Sequence, residues 1–189
     1  MPRDGRIVRD RLHRAALELF AERGFDGTTS EQIAARAGVT ERTFFRHFPD
    51  KREVLFAWEE ELRKLTADAI AAVPSDVPPL RALQVAFHDA VPLLVRNRPL
   101  AEMQAPIIAA APALIEREHS KAAALVTLVA AALRDRGCDE RTALLCARVG
   151  MDAFSTAIRE WSGRSAAELH DEVDATFVEL AALTCALHE

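Results

Sequence analysis

The placement of glycine limits the folds open to this sequence more than any other feature. Gly24, Gly38, Gly137 and Gly163 each follow an amphipathic stretch directly, which is the position where helices commonly end in a left-handed residue. Gly150 instead lies within a predicted helix, where it costs about 1 kcal/mol relative to alanine; close packing against another helix would explain it. Ala, Leu, Glu and Arg dominate between these stops, so the sequence predicts an all-α protein of about nine helices.

Apolar residues recur at three- and four-residue spacing and place the helices along the chain. We expect a first helix over residues 6–23, two short helices on either side of Gly38, and a fourth from about 50 to 72. Prolines punctuate the middle of the chain, and none follows Pro112, so the last three helices can be long. The helices predicted beyond residue 79 are 80–96, a short one after Pro99, one ending near 136, 139–161 and 166–187.

The segment 29–48 predicts two short helices joined by a tight turn at Gly38. Thr29 with Gln32 three residues later has the spacing of a capping box, and Thr40 can cap the second helix. Two helices that only pack in a core would show the same spacing. The polar start of the second helix favours the other interpretation, a helix-turn-helix whose second helix enters the major groove of DNA.

The first residues of that second helix are the candidates for contact with bases. Arg42 can donate two hydrogen bonds to a guanine edge, and the methyl group of Thr43 can meet a thymine methyl. Glu41 either accepts from a cytosine amine or repels wrong sequences. The candidate residues for base contact are therefore Thr40, Glu41, Arg42 and Thr43.

Three further residues are candidates for contact with the DNA backbone. Thr29 lies at a helix N-terminus, where free amides favour anions. His47 and Lys51 flank the end of the second short helix, where both can contact the backbone of one DNA strand. For Lys51 an ordinary solvated lysine is the alternative.

The stretch from Ala15 to Phe56 resembles the DNA-binding domain of the TetR family. The matching segments are LFAERGF, TTSEQIAARAGV, TFFRHFPDK and EVLF. The resemblance implies a homodimer in which each chain has nine or ten helices. A small molecule would bind in the larger domain and weaken DNA binding. The resemblance also implies a helix-turn-helix domain at residues 1–53 and a ligand-binding and dimerisation domain at 54–189.

Carried over position by position, the resemblance implies phosphate contacts for Thr29, His47 and Lys51, and base contacts for Arg42 and Thr43. The sequence departs from the family at Phe45, where tyrosine is usual. Phenylalanine has no hydroxyl to donate to a phosphate, so this contact is lost or reduced to packing.

The charged residues are distributed unequally between the two predicted domains. The net formal charge of the whole chain is −5. Residues 1–53 hold 11 Lys and Arg against nine Asp and Glu, whereas residues 54–189 hold 13 against 20. An acidic bulk repels DNA and orients the basic end toward it. Charge therefore supports DNA as a partner of the short N-terminal part only.

The middle helices are rich in apolar side chains that either line a ligand cavity or form solid core. A cavity would take a small apolar or amphipathic effector, with polar contacts from His88, Gln104 or Asp152. The six candidate residues for effector contact are Phe87, Val91, Met103, Ile107, Met151 and Phe154.

The last two predicted helices carry wide apolar stripes that must be buried. The first stripe includes Ala147 and Phe154, and the second includes Leu169, Val173 and Phe177. Burial within one chain is one possibility. We favour a four-helix bundle across a twofold axis, since twofold dimers dominate among oligomers and supply two recognition helices for a palindromic operator.

Other functional classes find little support in the sequence. It has no phosphate loop, dinucleotide fingerprint or zinc spacing, so we predict no enzyme, cofactor or metal. A helical interaction protein with a relic DNA motif, or an activator, remains open beside a repressor. Three cysteines without paired spacing, no signal peptide and no membrane-length apolar run predict a cytoplasmic location.

Overall fold

A computed structural model describes residues 3–163 and 165–185. The described residues form helices and no strands, which confirms the all-α class. This described part of the chain forms eight helices: α1 Arg3–Arg23, α2 Ser30–Arg36, α3 Glu41–His47, α4 Glu59–Ala72, α5 Pro79–Ala109, α6 Pro112–Asp135, α7 Glu140–Glu160 and α8 Ala166–Cys185. None of these helices is both long and apolar enough to cross a membrane.

The glycines behave as predicted. The four glycines expected to end helices all have positive φ, between 69° and 93°. Gly150 lies within α7, and a Cβ added to it would lie 2.6 Å from Cδ1 of Leu83. Close packing of α7 on α5 therefore explains the glycine inside a helix, because the missing side chain lets Leu83 approach the backbone.

The helix boundaries differ from the prediction in the middle of the chain. Helix α5 runs for 31 residues through Pro92, Pro99 and Pro106, where two helices were expected. Proline removes a backbone donor and disfavours a helix interior. Buried residues on both sides of these prolines hold the helix together, because tertiary packing supplies most helical stability in proteins. The eight observed helices result from this merger.

A second difference lies between α3 and α4. Residues 51–58 form hydrogen-bonded turns, so α4 begins at Glu59 and not near Asp50. Val54, Leu55 and Phe56 are all buried, and three consecutive side chains cannot share one narrow face of an α-helix. The end predicted for the last helix, Leu187, lies outside the described residues.

The chain divides into two compact units, each built from two segments. Unit 1 comprises the described residues up to Glu60 together with Asn97–His119, and unit 2 comprises Glu61–Arg96 and the described residues from Ser120 onward. Helices α5 and α6 contribute residues to both units. The boundary predicted after residue 53 stays a prediction.

Each unit has its own buried core. In unit 1, Leu12, Ile33 and Phe44 pack with Ile107 and Leu114. Unit 2 buries residues from each of its helices, among them Ile70, Leu83, Phe87, Leu133, Phe154, Leu169 and Val173.

Candidate nucleic-acid interface

Helix α1 is the frame on which the two short helices are mounted. Arg36 of α2 forms salt bridges to Glu18, at 3.3 Å, and to Glu22, at 2.9 Å. Arg11 donates to the carbonyl of Ala37 at the end of α2. These contacts hold the C-terminal end of α2 against α1.

Arg9 performs the same task for α3. Its guanidinium donates to the carbonyl oxygens of His47, at 2.9 Å, and Ala57, at 3.1 Å, and lies 4.3 Å from the centre of the Phe48 ring. The Arg9 and Arg11 side chains therefore bind the protein's own backbone. They belong to the scaffold of the candidate site.

The start of α2 has the capping box that the sequence predicts. The amide of Gln32 donates to Thr29 Oγ1 at 3.2 Å, and the Thr29 amide donates to Gln32 Oε1 at 3.0 Å. Thr29 is exposed, and the cap uses its hydroxyl only as an acceptor. The hydroxyl hydrogen can therefore still be donated to a phosphate oxygen.

The turn between α2 and α3 depends on Gly38. Its φ is 69°, and a Cβ at this position would lie 2.7 Å from Nη2 of Arg11. The amide of Val39 closes the turn by donating to the Ala34 carbonyl at 2.9 Å. A side chain here would be strained by its backbone conformation and would also collide with the arginine that binds Ala37.

Helix α3 has one buried side and one exposed side. Phe44 is fully buried, whereas Phe45 is 51% exposed although its ring packs edge-on against Phe44 with centroids 5.4 Å apart. Glu41 and Arg42 are also exposed. The structure thus presents Phe45 on the same helix as the predicted base-contacting residues, with no hydroxyl to offer.

The N-terminus of α3 is ordered by threonine and serine hydroxyls. Thr40 caps the helix by accepting from the Thr43 amide at 3.2 Å, and the two hydroxyls lie 3.1 Å apart. Ser30 donates its hydroxyl to Glu41 Oε1 at 2.7 Å. The sequence did not single out Ser30, because a bond between the first residues of two helices has no periodic signal.

Lys51 is engaged within unit 1. Its Nζ donates to the carbonyls of Phe25, at 2.7 Å, and Thr28, at 3.0 Å, and lies 4.2 Å from the centre of the Phe25 ring. These bonds use two of the three ammonium hydrogens. Lys51 therefore secures the loop that precedes Thr29, and only one hydrogen is left to donate elsewhere.

His47 is half-buried at the end of α3. Its Nδ1 is buried and has no hydrogen-bond partner among the described residues. Burial, with the nearby positive charges of Arg46 and Arg9, lowers the pKa of His47 below 6.5. This shift favours the neutral imidazole in the protein without DNA.

The residues predicted to contact an effector are divided between the two units. Phe87 and Phe154 stack with centroids 4.2 Å apart in unit 2, where Val91 is buried and Met151 half-buried. Met103 is 39% exposed in unit 1, and Ile107 is part of the unit 1 core.

The polar candidates are divided in the same way. Gln104 belongs to unit 1, is 7% exposed, and its Oε1 has no hydrogen-bond partner among the described residues. Asp152 is exposed on α7 of unit 2. His88, also in unit 2, bonds to groups on α8.

Part of the apolar stripes of α7 and α8 is covered within the chain, while the dimer across a twofold axis stays a prediction. Leu169 and Val173 are fully buried and Phe177 is 6% exposed. Periodicity showed that these stripes need burial but not what covers them. The exposed large apolar residues of the two helices are others: Leu144, Leu145, Val178 and Leu183.

Comparison with known proteins finds similarity for the N-terminal part of the chain. Residues 12–58 match the family model described as bacterial regulatory proteins, tetR family. The HTH-type transcriptional regulator TcmR of Streptomyces glaucescens is 39% identical over 112 residues, which cover 59% of this chain and 49% of TcmR. The chain thus spans about half the length of this curated relative.

Solved structures match the fold over almost the whole chain. A Mesorhizobium loti protein assigned to the TetR family aligns with a TM-score of 0.60 at 23% identity, covering 97% of this chain and 98% of its own. Thermus thermophilus FadR, a transcriptional repressor in complex with lauroyl-CoA, aligns with a TM-score of 0.53 at 25% identity, covering 92% and 93%.

Proposed function

We propose that this chain is a member of the TetR family of bacterial regulatory proteins and that it acts as a dimeric transcriptional repressor. In this proposal it binds a palindromic operator and is released by a small apolar or amphipathic effector. The observation that carries the proposal is α3, a helix braced from behind by Phe44 that exposes Glu41, Arg42 and Phe45 at its surface.

We assign the DNA contacts according to the hydrogen-bonding groups of each side chain that the bonds described above do not use. Arg42 and Thr43, with Thr40 beside them, contact bases, and Glu41 is held for this purpose by Ser30. Thr29 donates its hydroxyl to one phosphate, and His47 donates a ring N–H to another. Lys51 contributes mainly by holding the loop before Thr29 in place.

Arg42→Ala should lower affinity for a selected operator by about 10- to 100-fold, equivalent to about 1–3 kcal/mol lost at one base pair. The operator is first obtained by selecting bound fragments from random DNA, and affinity is then measured by fluorescence anisotropy. Arg141→Ala, at an exposed position of α7 in unit 2, is the matched control and should bind like the wild type. Equal binding of wild-type protein to selected and random DNA would rule out a sequence-specific repressor.

We place the effector site in unit 2, near the stacked rings of Phe87 and Phe154, with Val91 and Met151 as further contacts. Ile107 is left out because it packs in the unit 1 core. FadR, with its bound lauroyl-CoA, supports an amphipathic effector. In the anisotropy assay, lauroyl-CoA is the first probe, and an effector is recognised by its release of the operator.

The dimer, in this proposal, forms through the exposed apolar residues of the last two helices. Val178 is 68% exposed, Leu183 65% and Leu145 60%. Val178→Lys should convert a dimer to a monomer in sedimentation at micromolar concentration, because a lysine charge would be buried at the contact. Ser120→Lys, at an exposed position of α6, should leave the dimer intact. A monomeric wild type would contradict the proposal.

A further inference from the structure

A hydrogen bond joins the first residue of α2 to the first residue of α3. Ser30 Oγ lies 2.7 Å from Glu41 Oε1, between residues 11 apart in the sequence. A carboxylate oxygen only accepts, so the serine hydroxyl is the donor. A hydroxyl–carboxylate bond of this length is of the strong, charge-assisted kind. The bond therefore holds the Glu41 side chain in place before any DNA is bound.

The start of α2 does not need the Ser30 hydroxyl. Thr29 and Gln32 form the capping box between them. The single hydroxyl hydrogen of Ser30 is used by Glu41, so Ser30 cannot donate to a phosphate without breaking this bond. Thr29 serves its cap only as an acceptor and keeps its hydrogen for a phosphate. The two neighbouring hydroxyls therefore have different tasks.

Glu41 is exposed at the start of the helix that carries the proposed base contacts. The bond to Ser30 uses Oε1 and does not involve Oε2. DNA carries a dense row of phosphate charges, so a carboxylate in its major groove is repelled unless a hydrogen-bond donor of a base meets it. A carboxylate fixed at this place therefore requires such a donor in the sequence that it contacts.

Only two bases offer a donor in the major groove, and these are cytosine through N4 and adenine through N6. Guanine and thymine present acceptor oxygens there, which repel a carboxylate. Adenine also has the acceptor N7 beside its amino group, whereas cytosine has no acceptor on this edge. Cytosine is therefore the base that best fits the carboxylate of Glu41.

We propose that Ser30 is a positioning residue that holds Glu41 for one cytosine of the operator, whose N4 amino group donates to Glu41 Oε2. This role rests on the proposed DNA-binding function and adds to it the base that the carboxylate selects. A side chain ordered in advance loses less entropy when DNA binds. Because only the matching base gains from this order, Ser30 raises discrimination between bases and not the affinity for DNA in general.

Base preference at one operator position tests the role of Glu41. Affinity is measured by fluorescence anisotropy for four versions of the selected operator, which differ only at the base pair where Glu41→Gln has its largest effect. The wild type should prefer cytosine there by about 10-fold or more. Glu41→Gln should change the preferred base to adenine, because an amide bonds to N6 and N7 together. Glu118→Gln, at an exposed position of α6 in unit 1, removes the same charge and should keep the preference for cytosine.

Removal and restoration of the hydroxyl test the role of Ser30. Ser30→Ala should lower the preference for cytosine about 2- to 10-fold, with unchanged affinity for random DNA. Ser30→Thr keeps a hydroxyl and should restore the preference. Alanine favours a helix and the cap at Thr29 stays intact, so Ser30→Ala should fold like the wild type, as circular dichroism would show.

Three results would overturn this assignment and leave the proposed repressor standing. The first is a wild type that selects an operator with a base other than cytosine at this position. The second is an unchanged base preference in Ser30→Ala. The third is an equal loss of affinity for all four operators in Ser30→Ala, which would make Ser30 a phosphate contact. A wild type that selects no operator at all would overturn the proposed function, and the role of Ser30 with it.

Discussion

Phe44→Ala is expected to destabilise unit 1 severely and thereby to weaken DNA binding. The side chain is fully buried, and its ring lies 5.7 Å from Phe48 and 5.4 Å from Phe45, centre to centre. Truncation of a buried phenylalanine costs about 3–5 kcal/mol. That is a large fraction of the 5–15 kcal/mol that typically stabilises a folded protein. Urea unfolding followed by circular dichroism should show the loss.

Its neighbour provides the matched control. Phe45 is 51% exposed, so Phe45→Ala removes the same number of atoms from the same helix while leaving the core intact. We expect a loss of stability below about 1 kcal/mol and a loss of operator affinity without unfolding. If both variants unfolded at the same urea concentration, the buried and exposed sides of α3 would be wrongly assigned.

The second large effect concerns acid and His13. This side chain is 3% exposed, and its Nε2 has no hydrogen-bond partner among the described residues. Burial, and secondarily the positive charge of Arg9, lowers the pKa of His13 from 6.5 to about 4. The unfolded chain binds a proton below pH 6.5, whereas the folded chain resists it down to about pH 4.

The sign of the effect follows from this difference. Because the unfolded state binds more protons between these two values, the free energy of unfolding falls as the pH falls from about 6.5 to about 4. The contribution of His13 is roughly 3 kcal/mol over this window, and above pH 6.5 it is constant. The free energy of unfolding, measured with urea at several pH values, should therefore decrease from pH 6.5 to about pH 4 with a contribution from His13.

His13→Leu separates this histidine from the other titrating groups. The leucine has no proton to bind and no unpartnered nitrogen to bury, so the slope between pH 4 and 6.5 should flatten. His119→Leu removes an exposed histidine and should leave the slope unchanged. Identical pH profiles for His13→Leu and the wild type would mean that other groups cause the acid sensitivity.

Local features of the chain were predictable because their causes lie within a few residues. The caps at Thr29 and Thr40 depend on a hydroxyl and an amide three residues apart. The glycine stops depend on a single φ angle. Asp139 and Trp161 bound α7 as the two ends of the predicted helix. The all-α class and the helix-turn-helix segment follow from such short-range chemistry.

Partners distant in sequence were not predictable. Lys51 bonds to carbonyls 23 and 26 residues away, and Arg9 to one 48 residues away. Lys51 had the sequence character of a surface charge placed to bind DNA, and Arg9 that of an ordinary charge in the basic N-terminal part. A cation has the same local pattern whether it meets a phosphate or its own backbone.

By itself, the sequence determined where the two short helices of the helix-turn-helix segment begin and end, and which stripes of α7 and α8 need burial. Only the tertiary structure decided that Leu169 and Val173 are covered within the chain, that α5 continues through three prolines, and that His88 meets His170. The reason is physical. Caps, turns and amphipathic periodicity act over one or two helical turns, whereas burial and pairing depend on which surfaces the folded chain brings together.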